Sequence, residues 1–265
     1  IPSKTIDIKS GLFSKTSKLI GVQILNTNNL FKYEKDFILS KSNTDSDVFD
    51  VLLFARRDIK RATIPSHIKI IAPYAFNSCK KLRKVTFAKD SQLESIGDNG
   101  FSSTDLKIIT IPSSVKTIGI ECFSLCDDLT TLEFSENSKI ERIGQECLKF
   151  SSIKKIKIPP SLKVIESFAF HNCVDLELID IPENSKLEYI GSNAFCDTFI
   201  YSFFVPSPVS FIGREPFLVS NINILEISDN CELKEISKDA FMTLPDEIVM
   251  MTPANQLFKI NQNLS

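Results

Sequence analysis

Apolar residues return along this chain in one short figure. At LTTLEF (129–134) they fall on the first, fourth and sixth positions. LRKVTF (82–87), LKIITI (106–111), IKKIKI (153–158), LELIDI (176–181), IYSFFV (200–205) and INILEI (222–227) keep that spacing. The closing alternation of apolar and polar positions predicts a short strand with one buried face. A proline directly after it, as at Pro65, Pro112, Pro159 and Pro206, withholds a backbone donor and ends the strand. The V-x-x-I-G that follows predicts a second short extended piece with a turn. The x-x-A-F-x-x-C after that predicts a tight bend or a single helical turn.

The figure is strictly periodic. Ile64, Ile111, Ile158 and Val205, each before its proline, step by 47 residues, as do Phe76, Phe123, Phe170 and Phe217. Ile71, Ile118, Ile165 and Ile212 follow the same step. A second set interleaves at Phe101, Leu148, Phe195 and Phe241, so that the 47-residue period splits into units of 25 and 22. Ile1, Pro2, Ile8, Phe13, Leu19, Val22 and Ile24 match Ile64, Pro65, Ile71, Phe76, Leu82, Val85 and Phe87 at a constant offset of 63. The chain thus opens on a repeat element, as a fragment or mature product of a longer array would. A unit this small cannot bury its own apolar residues, and stacking on its neighbours closes the core. The fold expected is a right-handed β-rich solenoid with parallel strand ladders and short helical or 3-10 turns.

The pattern I-P-S-S-V-K-T-I-G-x-x-C-F-x-x-C-x-x-L-x-x-L-x-F at 111–134 resembles the BspA-like (treponemal-type) leucine-rich repeat. Its N-S-K-[IL]-E-x-I-G variant, at 137–144 and 184–191, is similar to protist members of that family. The resemblance covers 1–24 and 64 to about 244. It implies a leucine-rich-repeat solenoid that is cell-surface or secreted and serves in adhesion to host or microbial partners.

Four parts are expected: an N-terminal repeat unit (1–24), an insertion (25–63), the array of double repeats (64–244), and a C-terminal cap and tail (245–265). The insertion has apolar runs at Phe37-Ile38-Leu39 and Val51-Leu52-Leu53-Phe54 around a polar stretch, KSNTDSD. That predicts a β-hairpin between repeat blocks, there to shield the core or to act as an interaction knob. Residues 245–251 are expected to add one last strand.

Composition narrows the function. Formal net charge is −2, which argues against whole-chain attraction to nucleic acid or anionic membrane. No run of 18 or more apolar residues exists to span a bilayer. Seven cysteines cannot all pair within one chain. Cys79, Cys126 and Cys173 share one column with Thr104, Ser151 and Thr198 between them. Alternate turns lie about 10 Å apart, too far for a disulfide, so this column is expected to be interior and structural. Cys122 and Cys147 stand on adjacent turns within reach of each other, although side chains stacked in parallel seldom reach the disulfide dihedral. The Cys122/Cys126 pair has no further Cys or His at zinc-ligand spacing. His67 and His171 occupy columns that hold Ser114, Ser161, Asn77 and Ser124 in other units. They lie more than 100 residues apart with no nucleophile motif nearby, so no catalytic residue, cofactor or metal site is expected.

Binding is then the expected activity, on the outward positions of the strands: Lys84/Thr86, Ile108/Thr110, Thr131/Glu133, Lys155/Lys157, Leu178/Asp180, Ser202/Phe204 and Ile224/Glu226. With the flanking Lys154 and Tyr201, these give a basic turn, an acidic-apolar turn and an aromatic turn in succession. Aromatic and basic side chains side by side are the composition of binding hot spots. The candidate partner-binding residues are Lys154, Lys155, Lys157, Leu178, Asp180, Tyr201 and Phe204. The partner expected is a protein, with a host extracellular-matrix or cell-surface protein implied by the resemblance. Homo-association through repeat ends is the other contact expected. An intracellular scaffold or regulator using the same solenoid is the alternative.

Overall fold

A computed structural model describes residues 1–9, 11–25, 28–228, 230–231, 234–237, 239–240, 249–251 and 257–258. Each repeat contributes two strands. The V-x-x-I-G segments form two-residue strands, from Ile70–Ile71 and Ser95–Ile96 through Thr117–Ile118, Arg142–Ile143, Val164–Ile165, Tyr189–Ile190 and Phe211–Ile212 to Glu235–Ile236. These pair in parallel, turn upon turn, so that Ile71, Ile96, Ile118, Ile143, Ile165, Ile190 and Ile212 form one buried row. Phe31–Glu34, Phe37–Ser40 and Val51–Ala55 continue this ladder antiparallel to one another, and Val51–Ala55 pairs parallel with Ile70–Ile71. The sheet they complete has eleven strands. A glycine follows five of these seven isoleucines, and the turns approach closely there: a Cβ on Gly191 would lie 2.2 Å from the backbone nitrogen of Ser167 in the turn before.

The longer strands form the second face, and as far as Asp180 they associate two by two. Arg61–Ile64 pairs with Lys84–Phe87, Ile108–Ile111 with Thr131–Phe134, and Lys155–Lys157 with Leu178–Asp180. Ser202–Val205 pairs with Ile224–Ile227 and through it with Val249–Met251. Each break falls after a longer connection. Seven residues (88–94) separate Lys84–Phe87 from Ser95–Ile96, against five (112–116) between Ile108–Ile111 and Thr117–Ile118. The alternation of 25- and 22-residue units is therefore written into the sheet as strand pairs.

The bend expected at A-F-x-x-C is a pair of hydrogen-bonded turns, and no helix occurs among the described residues. Residues two before and two after each anchor have positive φ, as at Tyr74 (63°) and Ser78 (60°), Asn99 (54°) and Ser103 (58°), and Asn193 (54°) and Asp197 (55°). A left-handed residue every fourth position stops a helix from propagating. It also turns three N–H groups the same way. Those of Tyr74, Phe76 and Ser78 donate to the carbonyls of Asp98, Gly100 and Ser102 in the next turn at 2.9, 2.8 and 2.9 Å. The pattern continues to Asn193, Phe195 and Asp197, which donate to Arg214, Pro216 and Leu218. A third ladder results, with every N–H pointing towards later turns and every carbonyl towards earlier ones.

The carbonyls of the first rung of this ladder need donors from before it. Ala55 N–H donates to the Ala75 carbonyl at 2.9 Å, and Arg57 supplies a side-chain donor beside it. It is buried (3% exposed), donates to the carbonyls of Ala75 at 2.9 Å and Phe13 at 3.0 Å, and lies over the Phe54 ring at 4.5 Å. Burial lowers its pKa. Among the groups around it no carboxylate is needed, because aligned peptide carbonyls present partial negative charge at this end of the ladder. The Phe13 ring lies against Phe54 at 4.8 Å, tilted by 53°, and Arg57 N–H donates to Leu19, which seats the N-terminal segment on the same end. Ile1, Ile8, Phe13, Leu19, Val22 and Ile24 are half-buried there, while Ile6, Leu12, Ile20 and Leu25 are exposed.

The core is a stack of anchors. Ring centroids of Phe76, Phe101 and Phe123 are 4.8 and 5.5 Å apart, Leu148 takes the next place, and Phe170, Phe195 and Phe217 resume at 5.2 and 5.7 Å. Phe241, the next anchor, lies outside the described residues. So does the expected cap and tail over 245–265, apart from the strands Val249–Met251 and Leu257–Phe258. The cysteine column is interior: Cys126 Sγ sits 3.4 Å from Thr104 Oγ1 and donates to Phe101 at 3.2 Å, and Cys173 repeats this with Ser151 (3.4 Å) and Leu148 (3.1 Å). Cys122 and Cys147 stay as buried thiols rather than a disulfide.

Three outcomes are expected. Phe123→Ala opens a cavity within a dry stack and costs about 3–5 kcal/mol, to be read from the urea midpoint. Arg57→Met takes the side-chain donor from the carbonyls of Ala75 and Phe13, which keep the N–H groups of Ala55 and Thr16; because repeat energetics are nearest-neighbour, amide exchange should quicken around 13–19 and 74–78 and stay unchanged beyond 140. Burial pushes the thiols of Cys122, Cys126 and Cys147 up, and that of Cys173 to about 12. Unfolded thiols ionise near about 8.5, so the unfolded chain loses those protons first. The urea midpoint should be flat up to pH about 8.5 and fall steadily from there to pH 10.

Candidate interaction surface

On the longer strands side chains alternate strictly, and every second one faces out. Lys84 and Thr86, Ile108 and Thr110, Lys155 and Lys157, and Leu178 and Asp180 are all exposed. Pairing sets Lys155 beside Leu178 and Lys157 beside Asp180. One rung therefore joins a lysine stem to an exposed leucine (49%), and the next joins opposite charges. Lys154 immediately precedes this strand and is exposed.

The breaks between strand pairs are clefts. One, of about 540 Å³, lies between Thr131–Phe134 and Lys155–Lys157 and is lined by Thr130, Thr131, Lys154, Lys155, Glu177 and Leu178. Of the seven candidate residues the structure brings Lys154, Lys155 and Leu178 together here. Lys157 and Asp180 lie further along the same strand pair. Tyr201 and Phe204 belong to the next pair: Tyr201 is 55% exposed, whereas Phe204 is half-buried against the core.

A larger cleft, of about 700 Å³, lies between Lys84–Phe87 and Ile108–Ile111. Arg83, Lys84, Lys89 and Lys107 give it four cations and its lining holds no carboxylate; Ile108 (55% exposed) and Phe87 supply apolar surface. Arg83 is turned aside by an ion pair with Asp105. The sequence offered Lys84 and Ile108 as outward residues. The cleft went unread because it depends on which strands pair, and only the longer connection at 88–94 marks the break.

Metal-ligand chemistry converges at one place among the described residues, and it is on the turn ladder rather than the strand face. His171, Cys196 and Asp197 bring one ligand atom each to within 4.8 Å of one another. His67 lies elsewhere, half-buried before Ile70–Ile71. No described helix is long and apolar enough to cross a membrane.

The family model described as the BspA type leucine rich repeat region matches residues 50–176 and 141–264, six copies in all. Two solved structures share the architecture. A leucine-rich repeat protein from Eubacterium ventriosum is 25% identical, with a TM-score of 0.71 over 84% of this chain and 58% of its own. A second, from Bacteroides ovatus, is 20% identical, with a TM-score of 0.52 over 84% of this chain and 69% of its own. This chain therefore spans a little over half the length of the first. No curated protein matches it.

Proposed function

The chain belongs to the BspA-type leucine-rich repeat family, and from that premise we propose that it is a protein-binding module of a cell-surface or secreted adhesin, docking a host extracellular-matrix or cell-surface protein on its longer-strand face. One observation carries this reading: Lys154, Lys155 and Leu178, from adjacent turns, surround a cleft with Glu177 and two threonines. Such a cleft offers a partner both desolvatable apolar surface and a cation with its counter-charge close by. Lys157 and Asp180 extend the polar rim along the strands, and Tyr201 offers an exposed aromatic on the next pair. The two members of each strand pair already bond each other's backbone, and changing the outward side chains leaves the stack intact. The reading is of a binding scaffold and not of an enzyme, since the outward residues bring no nucleophile and base together.

The test is binding of the purified chain to intact epithelial cells and to immobilised extracellular-matrix proteins. Three folded variants run beside it: Lys154→Glu/Lys155→Glu/Lys157→Glu, Tyr201→Ala/Phe204→Ala, and Lys84→Glu/Lys107→Glu. Saturable binding weakened at least tenfold, about 1.4 kcal/mol, by the first variant, with reduced salt dependence, is the expected result. Loss in either other variant alone moves the site along the face. Absence of saturable binding by the unmodified chain, with binding only inside permeabilised cells, overturns the adhesin reading in favour of an intracellular scaffold.

A further inference from the structure

Stacking makes neighbours of residues one unit apart in sequence. The peptide N–H of Asn172 donates to the carbonyl of Cys196 at 3.0 Å, so the 171–172 and 196–197 peptides run side by side, 25 residues apart in the chain. Two aligned columns then meet. One reads Asn77, Ser102, Ser124, Lys149, His171, Cys196, and the next reads Ser78, Ser103, Leu125, Phe150, Asn172, Asp197. The fold accepts small polar, basic and apolar residues in these columns, so stacking does not call for a histidine, a cysteine or a carboxylate. At this one pair of turns all three occur together.

Their geometry is that of a ligand set. A ring nitrogen of His171, Cys196 Sγ and a carboxylate oxygen of Asp197 lie within 4.8 Å of one another; three corners of a tetrahedral zinc site lie about 3.6 Å apart, at bond lengths of about 2.0–2.3 Å. Cys196 Sγ is 3.4 Å from Asp197 Oδ2, and His171 Nδ1 is 3.8 Å from the same oxygen, too far for a hydrogen bond. Nδ1 is nevertheless buried and has no hydrogen-bond partner. A buried polar nitrogen aimed at a thiol and a carboxylate is unsatisfied unless something sits between them. The rings of Phe168 and Phe150, edge-on to the imidazole at 5.6 and 6.2 Å, hold it in place. The carboxylate is half-exposed, which leaves a path from solvent, while the sulfur is buried.

We propose that His171, Cys196 and Asp197 bind a thiophilic divalent cation, Zn²⁺ by its chemistry, which clamps two adjacent turns of the solenoid and leaves a fourth position to water. Thiolate, neutral imidazole and carboxylate are borderline-soft donors that suit zinc, and their two negative charges neutralise it. The Cys196 S–H bond breaks as the S–Zn bond forms, and the proton leaves to solvent. Because that proton leaves as the ion binds, affinity rises with pH and one proton is released per ion bound. Ligation through Nδ1 places the ring proton on Nε2. Asn172, whose amide nitrogen lies 3.2 Å from Nε2 and donates to Asp197 Oδ2 at 3.4 Å, then turns its oxygen to the Nε2 proton and gives up the Asp197 contact as the ion takes that carboxylate. This site is independent of the strand-face reading and shares no residue with it.

The test uses Co²⁺ as probe on the purified, metal-stripped chain. A thiolate-to-cobalt charge-transfer band with tetrahedral visible bands should saturate at about one ion per chain and be bleached by Zn²⁺. Cys196→Ser should abolish the band, His171→Asn and Asp197→Asn should weaken cobalt binding at least tenfold, and Cys231→Ser should leave it unchanged. Ser and Asn already occupy these columns in other turns, so the variants keep the fold, which circular dichroism of the metal-free proteins checks. Zn²⁺ should raise the thermal midpoint of the unmodified chain and not that of Cys196→Ser. No band in the unmodified chain, or a band that survives Cys196→Ser, overturns the proposal.

Discussion

Everything in this molecule depends on the fixed register between one turn and the next. That register is set by backbone hydrogen bonds on three ladders at once: the two-residue strands, the longer strands, and the alternating-φ turns around each anchor. The third ladder is the most demanding, because it requires a left-handed residue on each side of the anchor, and residues as unsuited as Phe150, Phe168 and Val219 adopt that conformation. A left-handed bulky residue costs roughly 1–2 kcal/mol, and the ladder repays it with three inter-turn hydrogen bonds per unit. Once the register is fixed, like stacks on like. Phenylalanine falls on phenylalanine, and the buried sulfhydryls of Cys126 and Cys173 each meet a hydroxyl one turn earlier, while that of Cys79 meets Arg57 at the first turn.

A ladder whose carbonyls all point one way has a negative end, and a solenoid must answer it. Arg57 does so by meeting carbonyls directly rather than a carboxylate. An Asp or Glu in its place would face those oxygens with like charge, and an apolar side chain would leave those of Ala75 and Phe13 to the donors of Ala55 and Thr16 alone. The packing of Phe13 against Phe54 then excludes water from the guanidinium and strengthens the same contacts. The hairpin strands Phe37–Ser40 and Val51–Ala55 extend the ladder at this end, so the polar cap and the sheet extension act at one place.

Much of the fold was legible because period and pattern are local facts. Ile71, Phe76 and Cys79 recur at a fixed step, and a fixed step among apolar residues admits few structures besides a stack. The interior place of Cys126 and Cys173 followed from distance arithmetic alone. What escaped the sequence lies between turns. The clefts beside Lys84 and Lys155 exist because strands pair two by two. The alternation of 25 and 22 residues was visible, but nothing in a single unit says on which side of the longer connection the sheet breaks. Arg57 stood inside the insertion, where no column compares it with another unit. His171 was compared down its own column, which showed variability, and not across to Cys196 and Asp197. Adding one unit length to each histidine would have found the cluster.

The two candidate regions sit on surfaces with different obligations. Outward residues of the longer strands take no part in the stack: Lys84, Ile108, Thr131, Lys155, Leu178, Ser202 and Ile224 range over basic, apolar and hydroxyl side chains at a single structural position. Variation there costs the fold almost nothing, which is what a recognition surface needs. The turn ladder is different. Its backbone is strained and its neighbours are fixed to within a hydrogen bond, so side chains projecting from adjacent turns are held at constant separation. A protein partner tolerates small displacement, whereas a tetrahedral ion does not. Partner recognition therefore fits the strand face, with its clefts between pairs, and metal ligation fits the rigid turns, where register alone brings histidine, cysteine and aspartate to one point.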